Sequence, residues 1–225
     1  MRYLVPVVLL AAACQAEEPG YVDPVPAQAH AIEGSAEDAF DHALAGDWTT
    51  LADDASRLEA GWKAYRAAAV KAGLDAASAS ALDESIAQLG AVAAAPTTKE
   101  SAARAANAVS ASMDEVFALY HPHTPVAVLQ LDYLGRELWL DGLDADFPRA
   151  TTDLVSAKEI WATLATTVIS NGGKGEAAAF DQKLSALSDA VASADGAAIA
   201  TAAQAELDQV DVIETVFAKT ADPPD

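Results

Sequence analysis

The sequence predicts an all-α fold, a duplicated antiparallel helical bundle built from two four-helix units of about 99 residues each. Three observations carry that expectation. Alanine is abundant, while strand-like alternation of apolar and polar residues is absent and β-branched clusters are few. Apolar residues recur at alternating steps of three and four in the segments that open at Trp48 and Phe147, the spacing of a helix with one buried face. The chain also matches itself when shifted by about 99 residues, with Trp62 on Trp161, Trp48 on Phe147, Asp47 on Asp146, Asp54 on Asp153 and Gly73 on Gly172. A slip of one residue in the next loop sets Leu82 on Phe180, Asp83 on Asp181 and Leu89 on Leu187. A further slip of two brings Val116, Phe117 and Ala118 onto Val216, Phe217 and Ala218. Slips confined to loops are the mark of a duplication, because chance similarity between alanine-rich segments would not hold the tryptophans in register.

Unit 1 covers 28–120, with helices expected at 28–44, 47–72, 76–94 and 98–120. Unit 2 covers 121–220, with helices at 125–143, 146–170, 176–194 and 197–219. The helix that opens unit 2 is the central one. Thr124 and Pro125 read as a hydroxyl cap followed by proline at the first helical position, where the missing N–H costs nothing. Its apolar residues Val126, Val128, Leu129, Leu131, Tyr133, Leu134, Leu138, Trp139 and Leu140 lie on nearly every side, so other helices must enclose it. Gly135 inside it marks a close approach of another helix, because glycine there otherwise costs about 1 kcal/mol relative to alanine.

The second helices show the clearest seams. Trp48, Leu51, Ala55, Leu58, Trp62, Tyr65 and Ala69 recur in unit 2 as Phe147, Ala150, Leu154, Ala157, Trp161, Leu164 and Val168. In the third helices the seam is Leu82, Ile86 and Leu89, matched by Phe180, Leu184, Leu187 and Val191. Gly73, Gly90, Asn171-Gly172-Gly173 and Asp195-Gly196 supply stops and turns, and connections this short make neighbours antiparallel. Two separate bundles or one fused bundle fit these lengths equally well. The run from Asn171 to Gly175 lacks the spacing of a phosphate-binding loop and follows no strand, so it reads as a turn between helices.

The N-terminus carries targeting information. Residues 1–13 hold one basic residue, Arg2, a short apolar run from Leu4 to Leu10 and small residues before Cys14, as in an export signal; the run is too short to cross a bilayer. Leu10-Ala11-Ala12-Ala13-Cys14 resembles the lipobox of bacterial lipoproteins, with Ala11 where leucine is more usual. The resemblance implies lipidation of Cys14, attachment to the membrane through that lipid, and, with Gln15 following, sorting to the outer membrane, facing the periplasm or the cell surface. Cys14 is the only cysteine, so no internal disulfide can form and the thiol stands where lipid attachment needs it. Residues 14–27, with Pro19, Pro24 and Pro26, read as an extended tether, and 221–225 as a polar tail.

The formal net charge is −21, and loss of residues 1–13 would remove Arg2 and no acid. Such a surface repels phosphate backbones and anionic headgroups, which argues against a nucleic-acid partner and favours a cationic one. With 52% of residues hydrophobic, a sizeable core can still form.

Candidate chemistry is sparse. His121-Pro122-His123, just before the central helix, offers two imidazoles to copper, zinc or iron if a carboxylate completes the shell. The competing reading has His121 at the C-terminus of the preceding helix and His123 in a polar turn. On the central helix Asp132 and Arg136 are four apart and can pair. Tyr133 and Glu137 complete a polar network within the otherwise apolar surface. The first helix of unit 1 places Asp38 and His42 one turn apart, and they align with Glu137 and Asp141, so both copies carry a carboxylate with a candidate ligand four residues later. Acidic first turns also complement helix dipoles, and the glutamate-to-histidine spacing of a di-iron bundle is absent. Covalent haem is ruled out by the single cysteine, and neither a Gly-x-Ser-x-Gly elbow nor a His-Glu-x-x-His helix occurs.

The sequence therefore favours a lipid-anchored, non-catalytic binding or scaffold module of the cell envelope that offers an acidic helical face to a cationic or protein partner. The alternative is a periplasmic metal-binding lipoprotein, with His121 and His123 as ligands and Asp132, Glu137, Asp38 and His42 as subsidiary ones. A hydrolase with unidentified carboxylates comes third.

Overall fold

In the computed structural model, residues 24–96 and 98–221 are described. Cys14, the expected export signal, most of the expected tether and the tail beyond residue 221 lie outside them. The described residues form eight helices and no strand: α1 Ala27–Ala45, α2 Trp48–Ala72, α3 Ala76–Ala94, α4 Lys99–Ala118, α5 Val126–Asp144, α6 Phe147–Ser170, α7 Lys174–Ser193 and α8 Gly196–Ala221.

Local chemistry sets these boundaries. Asp47 and Asp146 begin α2 and α6 in nearly the same conformation (φ −83°, ψ 75° and φ −87°, ψ 73°), each accepting a bond from the backbone N–H three residues on. Asp75 and Asp195 cap α3 and α8 by accepting from the N–H groups of Ala77 and Ser78, and of Ala197 and Ala198. Thr98 and Ser101 cap α4 reciprocally. The expected start of α5 needs correcting by one residue. Pro125 (φ −56°, ψ 139°) is itself the capping position and Thr124 lies outside the helix. Proline's fixed φ suits the extended capping residue as well as the first turn, so its ψ decides, and here ψ is extended.

Each unit is a closed antiparallel bundle in which the first helix packs against the second and fourth, and the third against the second and fourth. The seam residues fill the two cores, with Trp62, Trp161 and Phe117 buried and Phe180 and Phe217 among the largest side chains wholly enclosed. Trp48 and Phe147, at the helix starts, are partly buried and pack against the same cores. The duplication extends to hydrogen bonds: Trp62 Nε1 donates to Asp83 at 2.6 Å and Trp161 Nε1 to Asp181 at 2.7 Å.

The two units are fused through α5. Its Val128, Leu131, Leu134 and Leu138 lie in the second core, Leu140 lies in the first, and Trp139 packs on both. α4 packs along α5. Across the join, positions equivalent in the repeat meet each other: Arg136 donates to Glu37 at 2.9 Å, and the Phe40 and Trp139 rings are 6.0 Å apart. These contacts bring α1 and α5 together at equivalent positions of the two repeats. The join is not symmetric, because α8 makes no comparable packing against α1.

α8 crosses α5 at its glycines. A Cβ on Gly142 would come within 2.6 Å of Ala200 N and 2.7 Å of Gly196 O, and one on Gly135 would run into the Glu206 carboxylate and Leu207.

Candidate cation-binding site

The helix that joins the units also carries the densest group of buried charge. Glu137 and Asp141 lie one turn apart on α5 and are 2% and 0% exposed. They face α4 on one side and α6 on the other. Arg104 of α4 donates to Glu137 Oε2 (2.6 Å), Asp141 Oδ1 (2.8 Å) and Asp144 (3.1 Å). Arg149, in the first turn of α6, donates to the same Glu137 oxygen at 2.6 Å. Asn107 of α4 spans the gap, its Nδ2 donating to Glu137 Oε1 at 2.8 Å and to the Tyr133 carbonyl at 3.0 Å.

Asp153, one turn after Arg149, completes the group. One carboxylate oxygen each from Glu137, Asp141 and Asp153 lie within 4.8 Å of one another, and this is the only such set of three acidic, histidine or cysteine ligands among the described residues. Glu137 is saturated with donors. The remaining oxygens, Asp141 Oδ2 and Asp153 Oδ2, are buried and accept no hydrogen bond, with Arg149 Nε 3.8 Å from the latter. The two aspartates are themselves within hydrogen-bonding reach. Ionised carboxylates only accept, so two buried oxygens in this position need a proton or a cation between them. Burial pushes Asp141 up to about 7 against the pull of Arg104. Asp153 is raised too, first by burial and then by the charge of Glu137. The arrangement can share a proton or exchange it for a metal ion bound through oxygen.

The other candidates fall elsewhere. Asp38 and His42 occupy the corresponding positions in unit 1, where His42 Nδ1 lies 2.7 Å from Oδ2 of the wholly buried Asp54. His121 is exposed in the left-handed conformation (φ 49°), with its backbone N–H 3.5 Å from Ala118 O, and His123 is partly buried in the following bend. Neither histidine joins a set of three ligands. Asp132 pairs with Arg136 at 2.7 Å on a different face of α5, toward Glu37.

That face holds a second acidic group. Glu206 of α8 is fully buried against Gly135 with neither oxygen hydrogen-bonded, and burial raises it well above the usual carboxylate range. Burial likewise moves Glu33 to about 8, Asp114 and Glu214 to about 7, and Asp132 to about 6. For Glu33, Asp132 and Glu214 the guanidinium of Arg136 opposes the effect of burial.

Arg104, Asn107, Arg149 and Glu206 were not singled out by the sequence, and Asp153 only as a repeat match to Asp54. Glu206 had a usable signal, since it falls on the seam Ile199, Ala203, Val210, Ile213, Phe217 at a position where an apolar residue belongs. Asp153 had one as well, because both second helices carry aspartate beside a seam residue. Arg104 and Arg149 had none, since only the packing of α4 and α6 on α5 shows where their guanidiniums go.

The fold and site together define an all-α pair of fused four-helix bundles with a carboxylate cluster at the join. No family model, curated protein or solved structure matches this chain. Among the described residues no helix is long and apolar enough to cross a membrane.

Proposed function

We propose that this protein is a lipid-anchored binding protein of the cell envelope whose ligand is a divalent cation held by Glu137, Asp141 and Asp153. The observation that carries the reading is Asp141, wholly buried yet with one oxygen that accepts no hydrogen bond, in a set where one ligand oxygen each from Glu137, Asp141 and Asp153 lie within 4.8 Å of one another. An all-oxygen donor set suits hard ions such as manganese, calcium or magnesium better than copper, which shifts the metal reading from the His121 and His123 imidazoles to carboxylates. Arg104 and Arg149 keep Glu137 and Asp141 in place and offset part of their charge. Arg149, with 45% of its side chain exposed, marks the side from which an ion reaches the cluster. Export and lipid attachment rest on the N-terminal sequence.

The test is titration of the purified protein with manganese and calcium after chelator treatment, beside the Asp141→Asn variant. Stoichiometric binding weakened at least about tenfold by the substitution is expected, as for loss of one metal ligand. Equal binding by both proteins, or none by either, would remove the cation reading. An acidic docking module, supported by the net charge of −21, would then remain.

A further inference from the structure

A second face of α5, apart from the Glu137 cluster, gathers acids from three helices around the guanidinium of Arg136. α1 contributes Glu33 and Glu37, α5 contributes Asp132, and α8 contributes Glu206, Asp211 and Glu214. Arg136 is held by Asp132 at 2.7 Å and by Glu37 at 2.9 Å, and its charge opposes the effect of burial on Glu33, Asp132, Asp211 and Glu214. At Glu206 it is burial and the charge of Asp132 that act, in the same direction. The Glu206 carboxylate is 0% exposed, fills the space that a Cβ on Gly135 would take, and makes no hydrogen bond through either oxygen. It therefore faces the same cluster, since Asp132 lies about one turn before Gly135 on α5. A proton alone would leave this carboxyl with an O–H that donates to nothing and a carbonyl oxygen that accepts from nothing.

We propose that this face binds a linear polyamine, with its innermost ammonium between Glu206 and Asp132 and a further one along α8 at Asp211 and Glu214. The spread of the acids favours an extended organic cation over a metal ion. No three of their ligand oxygens lie within 4.8 Å of one another, as three do in the Glu137 cluster. Glu206 and Glu214 are eight residues apart on α8, about 12 Å along its axis, too far for one ion and within reach of a chain that carries several amines. An ammonium brings three N–H donors to carboxylates that can only accept, and its methylene stem suits the apolar surroundings of Gly135 and Leu207. The face opens to solvent at its outer end. The side chains of Asp132 and Glu37 are 17% and 47% exposed, Asp211 is exposed, and α1 and α8 do not pack extensively on each other there. The inference uses none of Glu137, Asp141 and Asp153 and stands independently of the divalent-cation reading.

The experiment is calorimetric titration of the purified protein with spermidine at moderate salt, beside Glu206→Gln and Asp53→Asn. The second variant removes one exposed acid from α2 and serves as the control for general attraction to an acidic protein. Wild type is expected to bind about one equivalent. Glu206→Gln should weaken binding at least about tenfold, as for loss of a charge-assisted hydrogen bond, while Asp53→Asn leaves it unchanged. Putrescine, too short to reach from Glu206 to Glu214, should bind more weakly than spermidine, and equal binding would overturn the placement along α8. No binding by wild type, or equal effects of the two substitutions, would overturn the site and reduce the amine to a counterion. Should Glu206→Gln fail to fold, Glu214→Gln at the outer end takes its place with the same outcomes. The manganese stoichiometry of either glutamine variant should equal that of wild type, so a failure here leaves the Glu137 reading untouched.

Discussion

Asp141 shows how one residue can trade stability for binding. Its carboxylate sits among Arg104, Glu137 and Asp153, wholly buried, and burial holds it near neutrality at about 7. An amide in the same shape carries no charge to desolvate and can donate to Asp153. Asp141→Asn is therefore expected to raise stability at pH 8 in the presence of chelator, by on the order of 1–2 kcal/mol. The same variant should lose any rise in melting temperature that manganese gives the wild type, because ligand binding to the native state is what produces that rise. Thermal unfolding of both proteins with and without the ion checks both outcomes. A destabilised variant would mean that the aspartate is held charged by its arginines.

At the scale of elements, the crossing of α5 and α8 depends on glycine at different contacts. At Gly142 an added Cβ meets backbone, Ala200 N at 2.6 Å, which no rotamer change relieves. At Gly135 it meets the Glu206 carboxylate and the Leu207 side chain, whose ends can move. Gly142→Ala is expected to cost about 3 kcal/mol or more. Gly135→Ala should cost less, since overpacking of about 1–3 kcal/mol is offset by roughly 1 kcal/mol of helix propensity. Urea unfolding of the two variants ranks them, and equal costs would show that the crossing yields by moving the whole helix. The Asp47 cap of α2 is a separate contribution. Asp47→Ala should lose about 1 kcal/mol in the same assay through the freed Thr50 N–H.

The whole molecule is acidic, and its seam between bundles contains acids whose folded-state pKa values are raised. Glu33 at about 8, Asp114 and Glu214 at about 7, Asp132 at about 6 and Glu206, raised well above the usual carboxylate range by burial, all bind protons more tightly folded than unfolded. Between the unfolded values near 4 and these folded values, the native state holds more protons, so stability falls as pH rises. His42 acts in the same direction, since its raised pKa gives stability that is lost as it deprotonates. Urea midpoints should therefore fall from pH 5 to pH 8, most steeply between pH 6 and 8. A midpoint that rises over this range would mean that the seam acids are paired and charged.

The sequence by itself determined the class of fold, the eight helices within about two residues, and the repeat, because these follow from seam spacing, aspartate caps and aromatic residues kept in register. It also placed Asp38 and His42 against Glu137 and Asp141. Only the tertiary structure decided that α5 belongs to both cores, and that Arg104, Arg149 and Asp153 converge on Glu137 and Asp141. The reason is physical. Periodicity along one helix shows which face is buried, whereas a site assembled from three helices depends on how they pack, and a chain with 34 acidic residues gives no local mark to the few that packing leaves without a partner.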